Sequence, residues 1–413
     1  LRIGGPGDPI DWVVVMRRFK EDDGLDRLAE RGALTLDHMD AVGDAIVALH
    51  AAAERRTGEQ DSASMREISA ENVALLRRAA GVDQQAVEAY ARATERALSA
   101  NRDLLEGRRM AGYVRRGHGD LHLRNICLIG GAPTLFDALE FDERLATVDV
   151  LYDLAFLLMD LWQRGLDAHA NRLLNRYLEA TQDFAGLAAL PLFLGARAAI
   201  RAHVAIAANA VASSTKSQDE ARSYLALAVR LLADSSPMLV AIGGLSGTGK
   251  TTQARLLAPT LGRPPGAVVL RSDVTRKRLA GVPALQRLSP EHYTPAATAA
   301  VYAALADQAA QCLRAGQAVI LDAVATSPSE RAAFAEVARS AGAPFAGIWL
   351  EAPVEVRVQR VETRTKDASD AGADIARRQL ALDAGSIAWS RVLSDGPPEA
   401  IAGRVAAAVA KAL

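Results

Sequence analysis

An eight-residue segment, residues 244–251, constrains the fold of this chain more than any other part of the sequence. It reads Gly-Leu-Ser-Gly-Thr-Gly-Lys-Thr and matches the pattern G-x-x-x-x-G-K-[ST]. An apolar run at residues 239–242 precedes it, and a helical pattern over residues 252–261 follows it. This order predicts a strand, a phosphate-binding loop and a helix, which together open an α/β fold.

Each residue type in the segment has a physical task in holding a nucleoside triphosphate. The glycines let backbone N–H groups converge on phosphate oxygens, and Lys250 is expected to reach the β- and γ-phosphates. The hydroxyl of Thr251 can ligate Mg²⁺. The sequence therefore predicts binding of ATP with Mg²⁺. The residues expected to bind the nucleotide are Gly244, Ser246, Gly247, Thr248, Gly249, Lys250, Thr251 and Thr252.

Apolar runs continue after this unit in the order expected of a layered α/β domain. They lie at residues 267–270, 318–321 and 345–350, and helical patterns separate them. Strands that alternate with helices indicate right-handed crossovers and a parallel sheet. We therefore expect a doubly wound α/β domain over residues 238–413, after a linker at residues 233–237 that contains Asp, Ser and Pro.

Polar residues that follow the later runs are candidates for the chemistry. Asp273 comes where an acceptor hydroxyl would meet the γ-phosphate, and it is the candidate base or hydroxyl-orienting residue. Arg276 is the candidate for binding the acceptor, and its cluster with Arg271 and Lys277 is expected to hold an acidic or phosphorylated acceptor. Asp322 ends the third run and is the candidate Mg²⁺ ligand, directly or through water. The alternative is that Asp273 caps a helix whose basic residues form a solvated face.

A segment with basic residues follows the fourth run. Arg357, Arg360 and Arg364 repeat at helical three- and four-residue spacing, so at least two of them share a face that can reach phosphates. We interpret the segment as a lid in which Arg360 and Arg364 bind the nucleotide. Ser369 and Asp370 precede a further helical pattern, and we expect them only to cap it.

Taken together, these residues resemble the gluconate kinase and zeta-toxin branch of the P-loop kinases, over residues 238–413. The resemblance implies transfer of a phosphoryl group from ATP to a hydroxyl. Motor ATPases and GTPases are disfavoured, because the sequence has neither an obvious arginine-finger motif nor an Asn-Lys-x-Asp element that reads guanine.

The first half of the chain has a different character. From residue 34 to about residue 232 it is rich in Ala, Leu and Arg with helical spacing, apart from one island at residues 117–142. In the island, short apolar runs flank glycines and a proline, which predicts a β-hairpin with polar residues at its ends. We expect a mainly helical domain with a small hairpin over residues 1–234.

The island carries a second candidate site. Asp120 and Asn125 lie five residues apart within His-Gly-Asp-Leu-His-Leu-Arg-Asn, which is the spacing of the kinase catalytic loop. In that loop the Asp accepts a hydroxyl proton and the Asn binds metal. Asp137 ends the next apolar run twelve residues later. Hairpin geometry would bring Asp137 beside Asn125 as a second Mg²⁺ ligand.

Together with the Val-Leu-Tyr-Asp segment that ends at Asp153, these residues resemble aminoglycoside and choline phosphotransferases. The resemblance implies a protein-kinase-like fold that phosphorylates hydroxyls of small molecules. It makes Asp120 the catalytic base, and Asn125 and Asp137 the Mg²⁺ ligands. It also makes Asp153 a structural partner of the loop, with His118 packed beneath the loop.

This second resemblance covers about residues 13–232 and departs from the family at its start. An N-lobe needs a glycine-rich loop and a Lys paired with a helix Glu. Here we predict only a turn at residues 4–7 and one strand at residues 13–19, and neither Lys20 nor Lys216 suits the phosphate lysine. Because the sequence opens with Leu rather than Met, we expect the N-lobe to continue upstream. The alternative is a pseudoenzyme.

Composition narrows the choice of partners. A formal net charge of -1 supplies no field for a nucleic acid or an anionic membrane. Two cysteines suit a reducing cytoplasm and no disulfide framework. The most apolar stretch, residues 192–212, contains Arg197, Arg201 and His203, so we expect a buried helix of a soluble protein.

The sequence therefore predicts an ATP-dependent phosphotransferase that acts on a hydroxyl of a sugar, an amino sugar or a related alcohol. One alternative is an active P-loop kinase regulated by a pseudokinase first domain. A second is a nucleotide-dependent switch or ATPase without a metabolic acceptor. No motif addresses the acceptor's identity, the oligomeric state or the coupling between the halves.

Overall fold

The computed structural model describes residues 8, 19–58, 64–79, 81–212, 215–364, 367–379 and 384–413. The turn predicted at residues 4–7 lies outside this part of the chain. So do the strand predicted at residues 13–19, except for Phe19, and the side chain of Lys216.

The first half is mainly helical with short strands, as predicted. Its elements are α1 (Leu25–Glu30), α2 (Leu36–Ala52), α3 (Met65–Arg78), α4 (Gln84–Ala100), α5 (Arg102–Met110), β1 (Val114–Arg116), β2 (Ile126–Ile129), β3 (Ala132–Leu135), α6 (Glu143–Ala146), β4 (Thr147–Asp149), α7 (Val150–Gln163), α8 (Asp167–Thr181), α9 (Leu190–Ala212) and α10 (Thr215–Leu231). Side-chain caps fix several helix starts: Thr35 and Ser64 each form a capping box at α2 and α3.

The described residues of the second half form twelve α-helices and strands, in which one or two helices follow each strand. These elements are β5 (Leu239–Gly244), α11 (Lys250–Leu257), β6 (Val268–Arg271), α12 (Ser272–Leu279), α13 (Pro295–Arg314), β7 (Val319–Asp322), α14 (Pro328–Ser340), β8 (Phe345–Glu351), α15 (Val354–Thr363), α16 (Ala373–Arg378), β9 (Ser390–Leu393) and α17 (Pro398–Ala412). The predicted fold class, a helical region with a hairpin followed by an α/β fold, is confirmed.

The predicted hairpin is formed by β2 and β3, which pair antiparallel with Ile126 opposite Leu135. A second small sheet, β1 with β4, was not anticipated. Its strands are three residues long, which is too short for an alternation of apolar and polar residues to be visible in the sequence. The two small sheets bracket residues 117–125, so this loop is held at both ends.

The sheet of the second half has the strand order β6-β7-β5-β8-β9, and all its neighbouring strands are parallel. The four predicted apolar runs became β5 to β8. The edge strand β9 was missed, because only Val392 of its four residues is buried. Since the strands are parallel, the carboxyl ends of β5, β6 and β7 meet at one edge and bring their following loops together.

One helical stretch, Ala185–Ala208, is long and apolar enough to cross a membrane by composition alone. Of its most apolar window, 67% is buried inside the protein, and α7 and α10 pack against α9. It also carries Arg197, which is buried beside Tyr152. These contacts agree with the predicted role as a core helix.

A single hydrophobic cluster extends from the helices of the first half into one face of the parallel sheet. Leu173 and Leu187 belong to it together with Val268, Leu270 and Leu305. The opposite face of the sheet packs separately against α11 and α17. The two halves of the described chain therefore share a core. Residues 233–237 form the short segment that connects them.

Candidate active sites

The predicted phosphate loop runs from the end of β5 to the start of α11. Gly244, Gly247 and Gly249 have φ angles of 137°, 85° and 86°, which L side chains rarely adopt. A Cβ atom on Gly247 would lie 2.4 Å from the carbonyl oxygen of Arg357. The glycines are therefore needed both for the loop's conformation and for its close approach to α15.

Lys250 begins α11 and folds back over the loop. Its Nζ donates to the carbonyl oxygen of Leu245 at 3.2 Å. Burial lowers the pKa of Lys250, and the nearby carboxylates of Asp322 and Asp273 oppose that shift. The site of this ammonium group is partly desolvated, and the carboxylates balance only part of its charge. The group is therefore suited to bind an anion.

Thr251 and Asp322 lie in contact, as the strand order requires. The Thr251 hydroxyl donates to Oδ2 of Asp322 at 2.5 Å. Arg271 is the register partner of Asp322 on β6, and its Nε lies 3.4 Å from the same Oδ2. Mg²⁺ prefers oxygen ligands, and here a hydroxyl oxygen and a carboxylate oxygen lie side by side, so the pair fits a magnesium site.

Asp273 lies in the first turn of α12 and lines the same cleft. The alternative prediction, that it caps the helix, is wrong, because Arg271 is the N-cap residue and no side chain caps this helix. Within the described ranges the Asp273 carboxylate receives no hydrogen bond. It interacts electrostatically with Lys250 and Arg271. The carboxylate is therefore available to a ligand.

The three arginines predicted as a lid have different environments. Arg357 is buried and donates from Nε to the carbonyl oxygen of Ser246 at 2.9 Å, so it braces the loop from behind. Arg360 lines the cleft and donates to Oγ of Ser394 at 3.1 Å. Arg364 also lines the cleft, and its guanidinium donates to backbone carbonyls of residues 369 and 371.

The prediction that Ser369 and Asp370 only cap a helix is wrong. Helix α16 starts at Ala373 after the N-cap Gly372, and no side chain caps it. Asp370 instead accepts from Nζ of Lys277 at 2.6 Å and from the hydroxyl of Tyr293 at 2.6 Å. Its carboxylate thus ties the lid segment to α12.

This contact also corrects the predicted cluster of three acceptor-binding cations. Lys277 is buried and paired with Asp370, and Arg271 is paired with Asp322 and Asp367. Arg276 alone of the three lines the cleft, where it donates to the carbonyl oxygen of His292 at 2.7 Å.

These residues surround one cleft of about 1040 Å³ at the carboxyl edge of the sheet. Of the eight residues between 244 and 252 that were predicted to bind the nucleotide, six line the cleft, whereas Gly244 and Thr248 are buried behind it. Several other lining residues were not predicted, because they belong to no motif and follow the predicted elements at irregular distances. They include Tyr293, Tyr302, Glu330, Gln379 and Ser394.

The second candidate site is centred on Asp120, in the loop before β2. Its Oδ2 accepts from Nδ2 of Asn125 at 3.0 Å and lies 3.3 Å from Nε2 of His122. Partial burial would raise the pKa of Asp120, but these two neighbours hold it below its ordinary value. Its side chain is 40% exposed, so an ionised carboxylate faces solvent here.

Asp153, at the start of α7, supports this loop from below, as predicted. Its carboxylate accepts from the backbone N–H groups of His118 at 2.7 Å and Gly119 at 2.9 Å, and it contacts Nε2 of His50 at 3.2 Å. Complete burial opposes ionisation, yet these donors and Arg197 lower the pKa of Asp153 to about 2. His118 is itself buried, and its Nε2 bonds to the carbonyl oxygen of Phe136.

Asn125 and Asp137 are brought near each other by the hairpin backbone. The N–H of Phe136 donates to the carbonyl oxygen of Asn125 at 3.0 Å, and Asp137 follows with a φ of 58° and an exposed side chain. Asn125 turns its Nδ2 to Asp120, which leaves its Oδ1 for another partner. An amide oxygen and a carboxylate at this position fit a magnesium site.

Two family models match the chain, one in each half. The model described as "Phosphotransferase enzyme family" matches residues 12–190, and the model described as "AAA domain" matches residues 239–383. Two similar solved structures align with less than half of the chain. A gluconokinase from Sinorhizobium meliloti is 21% identical over 43% of this chain and 93% of its own, with a TM-score of 0.31. An APS kinase of Mycobacterium tuberculosis, solved with AMPPNP and APS, is 20% identical over 42% of this chain and 98% of its own, with a TM-score of 0.32.

Proteins of two mycobacteria are similar over nearly the whole chain. Uncharacterized protein Rv2004c of Mycobacterium tuberculosis is 30% identical over 414 residues, which cover 97% of this chain and 81% of the relative. Uncharacterized protein Mb2027c of Mycobacterium bovis matches with the same values. Both halves and their order are thus included in the match. The chain belongs to the same family as these mycobacterial proteins, and it joins a phosphotransferase-family domain to a P-loop kinase domain.

Proposed function

We propose that the P-loop half transfers the γ-phosphoryl group of ATP to a hydroxyl of a small molecule such as a sugar, an amino sugar or a related alcohol. The observation that carries this proposal is the convergence of Lys250, Asp322 and Asp273 on one cleft. A phosphate loop, a metal-type pair of oxygens and a free carboxylate are the parts that phosphoryl transfer to a hydroxyl requires.

Asp273 is the residue we assign as base or hydroxyl-orienting group. Its carboxylate has no competing donor among the described residues, so it can accept a hydrogen bond from an acceptor hydroxyl. Lys250 would hold the β- and γ-phosphates, where its ammonium stabilises the charge that develops during transfer. Arg276 lies one turn after Asp273 and would contact the acceptor.

The remaining cleft residues are assigned to the nucleotide and its metal. Arg360 and Arg364 would bind phosphate oxygens from the lid side, where both already line the cleft. Thr251 and Asp322 would hold Mg²⁺, because their side-chain oxygens are adjacent. When bound, Mg²⁺ neutralises negative charge on the phosphate oxygens.

For the first half we propose a second phosphotransferase site with Asp120 as base and Asn125 and Asp137 as Mg²⁺ ligands. The support is the position of Asp120, which is ionised, partly exposed and oriented by Asn125 and His122. The competing proposal is that this half is a pseudokinase that binds a metabolite and regulates the P-loop half. In both cases ATP and a small molecule are the expected partners.

The experiment that tests these proposals is ATP turnover with and without a panel of sugars and amino alcohols. We compare the intact protein with the Lys250→Ala, Asp273→Asn and Asp120→Ala variants. One outcome is that acceptor-stimulated turnover is lost in Lys250→Ala and Asp273→Asn but kept in Asp120→Ala. This outcome would assign the kinase activity to the P-loop half and an accessory role to the first half. Loss of one acceptor's turnover in Asp120→Ala alone assigns a second active site.

Two results would contradict the kinase proposal. One is turnover that no variant changes. The other is slow ATP hydrolysis that depends on Lys250 and that no acceptor stimulates, which favours a nucleotide-dependent switch.

A further inference from the structure

Gln379, the residue directly after α16, contacts the phosphate loop although it belongs to no recognised motif. Its Oε1 accepts from the backbone N–H of Ser246 at 2.8 Å. Nη2 of Arg357 lies 3.4 Å from the same oxygen. Gln379 is 133 residues from Ser246 in the sequence, so this contact exists only because α16 folds back over the loop.

Both neighbours fix the orientation of the Gln379 amide. A backbone N–H and a guanidinium are donors only, so both require the carbonyl oxygen of the side chain. The Nε2 group must therefore point away from the loop's backbone. Gln379 lines the cleft, and its Nε2 donates to none of the residues that the structure describes. Two N–H donors are left for a ligand.

The contact connects Gln379 to Lys250 through one peptide unit. The N–H of that unit, on Ser246, binds Gln379, and its carbonyl oxygen, on Leu245, accepts from Nζ of Lys250 at 3.2 Å. The hydroxyl of Thr248 donates to the same carbonyl oxygen at 2.8 Å. Gln379 and Lys250 therefore hold opposite ends of a single peptide group, and both face the cleft. Arg357 holds the following carbonyl oxygen, so the position of this part of the loop is well determined.

We propose that Gln379 is a phosphate-contacting residue of the P-loop site, which donates from Nε2 to an oxygen of the terminal phosphate of ATP. The inference rests on the proposed function of this cleft. A neutral amide donor complements the cations already there, since it adds a directed hydrogen bond without further charge. Because its oxygen is anchored by Ser246 and Arg357, the donor is oriented before the ligand arrives.

The test is calorimetric binding of ATP and of ADP to the full chain, with ATP turnover as a second readout. Gln379→Glu keeps an oxygen for Ser246 and Arg357 but removes the donor and adds a negative charge. We expect its affinity for ATP to fall roughly tenfold to a hundredfold while its affinity for ADP changes less. Gln379→Ala should also lose more affinity for ATP than for ADP. Its loss should be smaller than that of the Glu variant, because alanine adds no charge.

The matched control is Arg377→Gln, on the exposed side of α16, which should bind both nucleotides as the unaltered protein does. ATP affinity that is unchanged or increased in Gln379→Ala would overturn the proposal, because it would show that the amide merely blocks the Ser246 N–H. An equal loss for ATP and ADP would also overturn it, because the contact would then lie elsewhere on the nucleotide. If Lys250→Ala binds ATP normally, the proposed function of the cleft fails instead, whatever the Gln379 variants do.

Discussion

Asn175, on helix α8 of the first half, pairs with Val269 on the edge strand of the parallel sheet as a neighbouring strand would. The N–H of Val269 donates to its Oδ1 at 2.7 Å, and its Nδ2 donates to the carbonyl oxygen of Ala267 at 3.2 Å. An unpaired sheet edge that is buried would leave such groups unsatisfied. Strand β6 leads directly to Arg271 and Asp273, so a residue of the first half supports the cleft of the second.

Replacing Asn175 by Ala should destabilise the protein by about 1–3 kcal/mol, because the buried N–H of Val269 loses its partner. The carbonyl oxygen of Ala267 keeps a second donor, Nδ2 of Asn171 at 3.0 Å. Urea unfolding at neutral pH measures the change. The control is Asp44→Asn, which removes an exposed ion pair between α2 and the same helix α8 and should cost at most about 1 kcal/mol. Equal effects of the two variants would contradict the role given to Asn175.

Asp153 should make the stability of the protein fall in acid. Its pKa is lowered from 3.8 to about 2, so its contribution is fully present above pH 3.8 and is lost as the pH falls toward 2. The contribution is about 2 kcal/mol. Asp153→Asn should be less stable than the unaltered protein at pH 6 and should approach it as the pH is lowered.

Urea unfolding at a series of pH values between 6 and 2 measures this dependence. Asp374→Asn, at an exposed site in the first turn of α16, serves as the control and should follow the unaltered protein throughout. A constant difference between Asp153→Asn and the unaltered protein over the whole series would show that the proton linkage is absent.

Gly247→Ala should abolish ATP binding. The residue has a φ of 85°, and the new methyl group would lie 2.4 Å from the backbone oxygen of Arg357, so the loop must change its path. Gly403→Ala is the matched control, because its Cβ meets nothing within 4 Å in the middle of α17. That substitution should raise the free energy of unfolding by about 0.5–1 kcal/mol and leave ATP binding intact. Calorimetric titration and thermal unfolding measure the two effects.

Lys277 and Asp370 should behave as a coupled buried pair. Lys277→Met leaves Asp370 without its cation, and a broken buried pair costs about 3–5 kcal/mol. Asp370→Asn should also be costly, because a buried ammonium then loses its counter-charge. The double variant should be less destabilised than the sum of the two, and thermal unfolding of all three measures the coupling. Additive effects would mean that the ion pair contributes nothing of its own.

The sequence was sufficient for the parts of the site that local structure determines. The loop of residues 244–251 follows from its own pattern, since glycine, lysine and threonine at these intervals have few other uses. The proximity of Thr251 and Asp322 also follows, because Asp322 ends β7 and Thr251 lies in the first turn of α11, after the loop at the carboxyl end of the adjacent parallel strand β5. In the first half, the spacing of Asp120 and Asn125 likewise predicted a loop that the structure holds together by their hydrogen bond.

Side-chain partners far apart in the sequence could not be predicted in this way. Helical spacing placed Arg357 and Arg360 on one segment but did not show that Arg357 points behind the loop and Arg360 into the cleft. The same is true of Asp370, which local pattern makes a helix cap and the tertiary structure makes the partner of Lys277. Whether such a side chain faces the cleft or the protein interior depends on its burial. Its burial in turn depends on which distant segments of the chain pack against it.

The sequence by itself thus determined the two fold types, the order of the halves and the backbone motifs of both candidate sites. Only the tertiary structure decided that Gln379 meets Ser246, that Asn175 completes the edge of β6, and that both halves share one core. The physical reason is that periodicity and motif spacing encode which face of an element is apolar and which turns are tight. The identity of the group facing each side chain is fixed later, when the elements pack.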